Sequence, residues 1–303
     1  MTGTIASLRR KIGSAGDLQS VVRTMKAMAA SNIGQYEKAE RALGDYYRSV
    51  ELGLSICLRK AAPAAQMTNR GGQKGPATIE AVVFGSDQGL VGRFNDVVAD
   101  FAVNALAALP GKPRVWAVGE RVHGHLVDAG LALMGLFAVP NSVQAITPLI
   151  GQILIEGDSR HDQGQVTELH LFYNRPVSGA TYAPVSQRLL PLDDSWQRRL
   201  AKLPWPTAAL PEVIGDHTLT LQALIREYLF VSLFRACAES LASENASRLA
   251  AMQRADRNIN DLLETLNGSF HRLRQSGIDE EMFDVTAGFE ALSVGTDSRG
   301  GQR

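Results

Sequence analysis

Residues 216–267 read DHTLTLQALIREYLFVSLFRACAESLASENASRLAAMQRADRNINDLLETLN, without a proline or a glycine. Those two residues weaken a helix interior most, by about 3 and about 1 kcal/mol relative to alanine. Apolar residues recur at three- and four-residue steps with polar residues between them, which is typical of an amphipathic helix. The pattern predicts one long helix that begins near Thr218 or Thr220. The apolar positions are Leu221, Leu224, Tyr228, Val231, Ala238, Leu241, Leu249, Met252, Ile259, Leu263 and Leu266.

Proline is confined to the middle of the chain. All twelve prolines of the 303 residues lie between Pro63 and Pro211. Because proline breaks helices, two proline-free ends around a proline-punctuated middle predict two long terminal helices that flank a folded insert.

The first end carries the same helical spacing as the last. Its apolar positions include Ile5, Leu8, Ile12, Ala15, Leu18, Val22, Met25 and Ala29. Six glycines within this end would each weaken the helix by roughly 0.5–1 kcal/mol, so we expect it to need a partner. The insert returns the second end along the first, which favours an antiparallel coiled coil within the chain. Two ordinary amphipathic helices packed on a larger α domain are the alternative.

The middle alternates strand and helix patterns after a linker at 61–77 that is rich in alanine, glycine and proline. This order predicts a small α/β domain of Rossmann-like type. The fold class is therefore α plus α/β, a coiled coil of the terminal helices with an inserted α/β domain. The predicted segments are strands at 79–84, 114–118, 166–173 and 185–190, and helices at 95–109, 120–129 and 142–156, the last capped by Asn141 or Ser142. The predicted boundaries are 1–60 for the first helix, 61–77 for the linker, 78–208 for the α/β domain, 209–292 for the second helix and 293–303 for a disordered tail.

A glycine-rich turn, GSDQGLVG at 85–92, follows the first strand and invites comparison with nucleotide-binding loops. No Gly-Lys-Ser/Thr follows it, and Asp87 occupies the place of the second glycine of a dinucleotide motif. We therefore predict a structural turn built on Gly85, Asp87, Gly89 and Gly92, with no cofactor and no direct nucleotide binding.

Composition and motifs exclude several other functions. The formal net charge is zero, so no basic field favours nucleic acid. Cys57 and Cys237 have neither disulfide nor metal-ligand spacing, and the apolar run at 129–139 is too short to cross a bilayer. The histidines at 123, 125, 161 and 170 form no recognisable metal set, and the Asp193–Asp194 pair fits a solvated loop as well as an acid/base pair. We predict no catalytic residue and no metal site in this chain.

Five segments together resemble a known family. They are LRRKI at 8–12, MKAMAAS at 25–31, SDQGLVGRFN at 86–95, ENASRLAAM at 244–252 and NGSFHRLRQ at 267–275. In this order, and around a proline-rich insert, they resemble the gamma subunit of F-type ATP synthases over nearly the whole chain.

The resemblance implies a central-stalk rotor that couples ion translocation to ATP synthesis or hydrolysis, while catalysis belongs to its partners. The implied partners are three alpha and three beta subunits around the helix pair, and an epsilon subunit and the membrane c-ring at the other end. The implied location is peripheral, on the cytoplasmic face of a bacterial inner membrane. By position, Met25, Lys26, Arg274 and Gln275 match residues that contact the alpha/beta ring.

The chain also departs from the family pattern. Residues 32–37 (NIGQYE) are nearly without cations where the family has a basic patch, and residues 278–283 (IDEEMF) are acidic. The resemblance is therefore to a divergent member, and an alternative sodium-type complex is left open beside a proton-type one. Two other functions are weighed against the rotor: a non-enzymatic coiled-coil scaffold, and a small α/β nucleotide-binding enzyme with helical extensions.

Overall fold

The structure is a computed structural model, and it describes residues 4–60, 79–111, 113–161, 168–177, 180–192, 194–209 and 211–297. The predicted linker at 61–77 lies outside the described residues, as do residues 298–303 of the predicted tail. The elements in chain order are α1 (Ile5–Lys60), β1 (Ile79–Phe84), α2 (Phe94–Ala107), β2 (Arg114–Val118), α3 (Glu120–Asp128), β3 (Ala132–Phe137), a 3₁₀ turn (Val143–Ala145), α4 (Ile146–His161), β4 (Glu168–Val177), β5 (Ala180–Leu190), α5 (Asp194–Ala201) and α6 (His217–Asp297).

The last helix differs at both ends from its predicted bounds. The backbone N–H groups of Thr218 and Leu219 donate to the carboxylate of Asp216, at 2.7 and 3.2 Å. The helix begins at His217, next to the expected Thr218, and Asp216 rather than a threonine caps its free amide groups. At the other end α6 continues to Asp297, past the predicted boundary at 292.

The described chain divides into two compact units, and α1 and α6 contribute to both. The first unit holds the residues up to Ala27 and those from Met252 onward, and the second holds Met28–Ala251. In each unit, residue numbers along α6 fall as those along α1 rise, so the two helices run antiparallel, as predicted. In the first unit Gln19 contacts Asn260 and Arg9 lies over the ring of Phe270. In the second, Asn32, Glu40 and Tyr46 contact Asn245, Arg235 and Glu227.

The second unit contains one five-stranded sheet in the order β3-β2-β1-β4-β5. The first four strands are parallel, and β5 runs antiparallel to β4. Helices connect the parallel strands, which confirms the α/β class. Strand β3 and helix α5 are absent from the sequence prediction. Strand β3 lies within the apolar run at 129–139, whose length alone does not distinguish a short buried strand from a helix.

One predicted helix cap is not formed. Ser142 precedes the 3₁₀ turn that leads into α4, but its side chain makes no capping hydrogen bond. The backbone instead tightens through the turn Val143–Ala145 before α4 begins.

Two apolar clusters cover the two faces of the sheet. Alternate residues of β1 point to opposite faces, so Val82 and Phe84 join one cluster while Ala81 and Val83 join the other. Residues of α1, α4 and α6 complete the first cluster, and residues of α2 and α3 complete the second. The long helices therefore pack directly on the sheet within this unit. No described helix has both the length and the apolarity that a membrane span needs.

Candidate functional site

The glycine turn follows β1 and packs tightly against α3. A Cβ on Gly85 would lie 2.4 Å from the Cβ of Val122, so only a glycine lets α3 approach this closely. Gly92 has a φ of 60°, and Leu90 has a φ of 63° although it is no glycine. The Leu90 side chain is 61% exposed. The turn is therefore a strained loop that presents an apolar side chain at its tip.

Side chains inside the turn fix its shape. The backbone N–H of Ser86 donates to Oδ1 of Asn95 at 2.9 Å, and Nδ2 of Asn95 donates back to Oγ of Ser86 at 2.9 Å. The carboxylate of Asp87 accepts from the backbone N–H of Glu120 at 3.0 Å and of Val139 at 2.9 Å. Asp87 therefore stabilises the start of α3 and joins three loops at the carboxyl edge of the sheet.

A shallow open depression beside the turn is lined by Gly89, Gly92, Asp96, Arg121 and His125. Nε2 of His125 lies 3.0 Å from Oδ1 of Asp96, and both side chains are part-exposed. The Asp96 carboxylate would repel a phosphate, and no P-loop lysine is present. The depression therefore places a carboxylate beside its basic side chains, which disfavours a phosphate.

Buried serines of α6 attach this helix to the sheet and to the turn. Oγ of Ser243 donates to the carbonyl of Asn174 in β4 at 3.0 Å, and Oγ of Ser247 donates to the carbonyl of Val91 at 2.6 Å. Nδ2 of Asn174 donates in turn to the carbonyl of Phe94 at 2.9 Å. Because these groups are buried, losing one partner would leave the other unsatisfied, at a cost of about 1–3 kcal/mol.

A buried ion pair lies within the same stretch of α6. Nη2 of Arg248 lies 2.6 Å from Oε1 of Glu244, whose residue is only 5% exposed. Burial raises the pKa of Glu244, although the Arg248 guanidinium opposes that shift. Burial also raises the pKa of Tyr36 of α1, and the Glu244 charge adds to that shift.

A second charged group joins both long helices to the sheet. The carboxylate of Glu239 in α6 lies 2.7 Å from Nε of Arg175 in β4 and 2.9 Å from Nε of Arg235 in α6. Nε of Arg235 also lies 3.3 Å from Oε1 of Glu40 in α1. Nη2 of Arg175 donates to the hydroxyl of Tyr173 at 2.6 Å, and burial raises the pKa of Tyr173 to about 12. We call the residues that link α1, α6, β4 and the glycine turn the polar junction: Glu40, Val91, Tyr173, Asn174, Arg175, Arg235, Glu239, Ser243, Glu244, Ser247 and Arg248.

The polar junction has the chemistry of a mechanical connection. Its carboxylates are paired with guanidinium groups, and the hydroxyls of Ser243 and Ser247 donate to backbone carbonyls. Within the described ranges, no three His, Cys, Asp or Glu side chains gather closely enough to hold a metal ion. The junction therefore holds α1, α6, β4 and the glycine turn together.

The four predicted contact residues lie in the first unit, and the structure does not bring them into one cluster. Met25 is half-buried, and Nζ of Lys26 lies 3.1 Å from Oδ2 of Asp256. Arg274 and Gln275 are exposed, and neither makes a hydrogen bond or ion pair with another residue that the structure describes.

Sequence reasoning did not identify the residues that contact one another between α1 and α6 or between α6 and the sheet. Gln19 and Asp256 carry no motif, and the apolar pattern favours the neighbouring Leu18, which is 55% exposed in the structure, over the buried Gln19. Ser243 and Ser247 lie at polar positions of the helical pattern of α6. Their spacing does not indicate that the sheet covers them.

Comparisons with known proteins agree on one relationship. The ATP synthase family model matches residues 4–292. The ATP synthase gamma chain of Parafrankia sp. is 27% identical, over 97% of this chain and 100% of the relative, and that of Nitrosomonas eutropha is 27% identical, over 94% and 98%. A chain in the OSCP/F1/c-ring structure of the Euglena gracilis mitochondrial ATP synthase matches with a TM-score of 0.64, at 15% identity, over 100% of this chain and 98% of that one. A chain in the rotor structure of the same complex matches with a TM-score of 0.60, at 14% identity, over 92% and 100%.

Proposed function

This chain belongs to the ATP synthase family, and from that premise we propose how its parts serve the complex. It is a gamma-type subunit of the central stalk of a rotary F-type ATP synthase, and it couples ion translocation to ATP synthesis or hydrolysis. Its partners carry out the catalysis. A rotor couples distant sites by presenting different contacts to each of them in turn.

The observation that carries the mechanical part of the proposal is the polar junction. Glu239 joins β4 to α6, and Arg235 joins α6 to α1, so both long helices are tied to the sheet. Ser243 and Ser247 add two buried hydrogen bonds to the sheet and the glycine turn. A torque that acts on the sheet is therefore passed to both helices within the second unit, without slippage between them.

The chain is a member of the ATP synthase complex and a peripheral part of that membrane assembly. We propose that three alpha and three beta subunits surround its helix pair, and that the sheet faces an epsilon subunit and the membrane c-ring. We place it on the cytoplasmic face of a bacterial inner membrane. Gly85, Asp87, Gly89 and Gly92 act as a structural turn, and no cofactor is needed.

The contact residues proposed for the alpha/beta ring are Met25, Lys26, Arg274 and Gln275. Support for the last two is that they are exposed and have no partner among the residues that the structure describes. Lys26 is half-exposed and already paired with Asp256, so only part of its side chain is accessible to a partner subunit. The C-terminal part of α6 adds exposed apolar side chains at Ile278, Met282, Phe283 and Val285. Such side chains are buried when a partner covers them.

Co-expression of the full chain with its cognate alpha and beta subunits tests the proposal. We expect a stable complex that hydrolyses ATP. Leu249→Pro, which breaks the middle of α6, should abolish assembly, whereas Leu249→Ala should permit it. Failure of the wild-type chain to co-purify under any nucleotide condition, or normal assembly of the proline variant, would contradict the rotor function.

A further inference from the structure

Apolar packing alone specifies the register of the first unit poorly. Its buried apolar side chains among the described residues are Ala15, Val22, Met252 and Ile259, two of them small. A Cβ added at Gly13 or Gly16 would meet nothing within 4 Å. Larger apolar residues such as Ile12, Leu263 and Phe270 are only half-buried. Helices whose apolar seam is incompletely buried can slide by a turn with little change in buried area.

One layer of polar side chains does distinguish one register from another. Nε2 of Gln19, a residue that is only 9% exposed, donates to Oδ1 of Asn260 at 2.5 Å and to Oδ1 of Asp256 at 3.4 Å. Nζ of Lys26 lies 3.1 Å from Oδ2 of Asp256, and Nε of Arg23 lies 3.4 Å from its Oδ1. One carboxylate of α6 therefore receives donors from three successive positions on one face of α1.

This arrangement exists at one register only. A slide of one turn moves a helix by about 5.4 Å, which is enough to break all of these contacts. A slide of one heptad would bring Leu249 or Leu263 into the place of Asp256. The donors of α1 would then face a leucine.

We propose that Asp256 is a positioning residue that fixes the register of α1 against α6 in the first unit. Its pairs with Lys26 and Arg23 are part-exposed, so they add little to stability. Their effect is on specificity, as polar residues at coiled-coil seams select one register at some cost in stability. On the proposed function, this register sets the height of Met25 and Lys26 relative to Arg274 and Gln275 in the partner ring.

The first test measures register in the full chain by electron spin resonance. Spin labels at Ser14→Cys and Glu264→Cys, both at exposed positions on facing helices, report one inter-label distance. The native Cys57 and Cys237 are both buried and remain unlabelled. We expect Asp256→Leu to add a second distance of about one-tenth of the population or more, without lowering the melting temperature. Asp256→Asn should broaden the distribution, and the control Asp261→Asn, an exposed carboxylate on the same helix, should not.

The outcomes separate a register role from plain stabilisation. A single unchanged distance in both Asp256 variants, whether or not the melting temperature falls, would overturn the proposal. A second distance in the Leu variant at undiminished thermal stability would support it, because loss of stability alone does not create a second defined distance.

The second test measures coupling in the assembled complex and rests on the proposed function. We expect Asp256→Leu to lower the number of ions pumped per ATP hydrolysed by about twofold or more, while the hydrolysis rate stays within about twofold of wild type. Unchanged coupling would contradict the proposed effect of the register on the function of the complex. Failure of the wild-type chain to assemble would instead contradict the rotor function and leave the distance measurement standing.

Discussion

Each unit contains one part of α1 and one part of α6, but different contacts stabilise the helix pair in the two units. In the second unit, α1 and α6 pack on a sheet and bury large side chains such as Leu54, Tyr228 and Leu233. In the first unit, the same helices bury only a few apolar residues completely, and they share one partly exposed polar layer around Asp256. Similar helical periodicity therefore leads to a core only where a third element covers the helix pair. The first unit is therefore the part that depends most on a partner.

The largest difference in stability between the two units should come from leucine-to-alanine substitutions in α1. Leu54→Ala removes a fully buried side chain of the second unit, so we expect the free energy of unfolding to fall by about 2–5 kcal/mol. Leu8→Ala, at a half-buried position of the first unit, should cost less than about 1.5 kcal/mol. Urea unfolding and hydrogen exchange of each unit measure the two values. Equal losses would show that the first unit has a core of its own.

Glycine-to-alanine substitutions should change stability in opposite directions in the two units. Gly85→Ala places a Cβ 2.4 Å from Val122, so we expect a loss of about 1–3 kcal/mol. Gly16→Ala in the first unit meets nothing within 4 Å and should gain roughly 0.5–1 kcal/mol, since alanine favours the helix. Thermal unfolding of both variants measures the difference. A neutral Gly85→Ala would mean that α3 can move away from the turn at no cost.

The two units should also respond oppositely to pH. The pKa of Glu244 is raised, so its favourable contribution is full below its ordinary value of 4.5 and is lost as pH rises through the raised pKa. The hydrogen bond from Lys26 lowers the pKa of Asp256, so its contribution is present above 3.8 and is lost as pH falls through the lowered pKa. We expect Glu244→Gln to remove the first dependence and Asp256→Asn the second, in urea unfolding and hydrogen exchange measured from about pH 2 to 7. A Glu244→Gln profile identical to that of the wild type would show that the ionisation of this residue is not linked to folding.

The smallest effect on the isolated chain should come from the exposed end of α6. Arg274→Ala removes no contact within the described chain, so the free energy of unfolding should change by less than about 0.5 kcal/mol. Its association with the alpha and beta subunits should weaken by roughly tenfold, because the arginine then loses its partner contact. The control Arg254→Ala, also exposed on α6, should change neither value. Equal affinities for the two variants would remove Arg274 from the contact surface.

Several features of the fold could be predicted from local sequence, and others could not. The absence of proline and glycine from 216–267 defines a long helix, and the spacing of Val22, Met252 and Ile259 selects the faces that meet. Strand β3 was missed because a short apolar run fits a helix and a strand equally well. The role of Asp216 as the cap was missed because two threonines in the first turn offered the same chemistry.

The sequence by itself determined where the two long helices lie and that an α/β domain separates them, and it favoured their antiparallel pairing. These properties follow from residue propensities and from periodicity, which act between near neighbours in the chain. Only the tertiary structure decided that Lys26 meets Asp256 and that Ser243, Ser247 and Glu239 are buried against the sheet. The reason is physical: periodicity selects a helix face, but the side chain opposite that face belongs to a distant segment, and its identity depends on the register in which the folded elements pack.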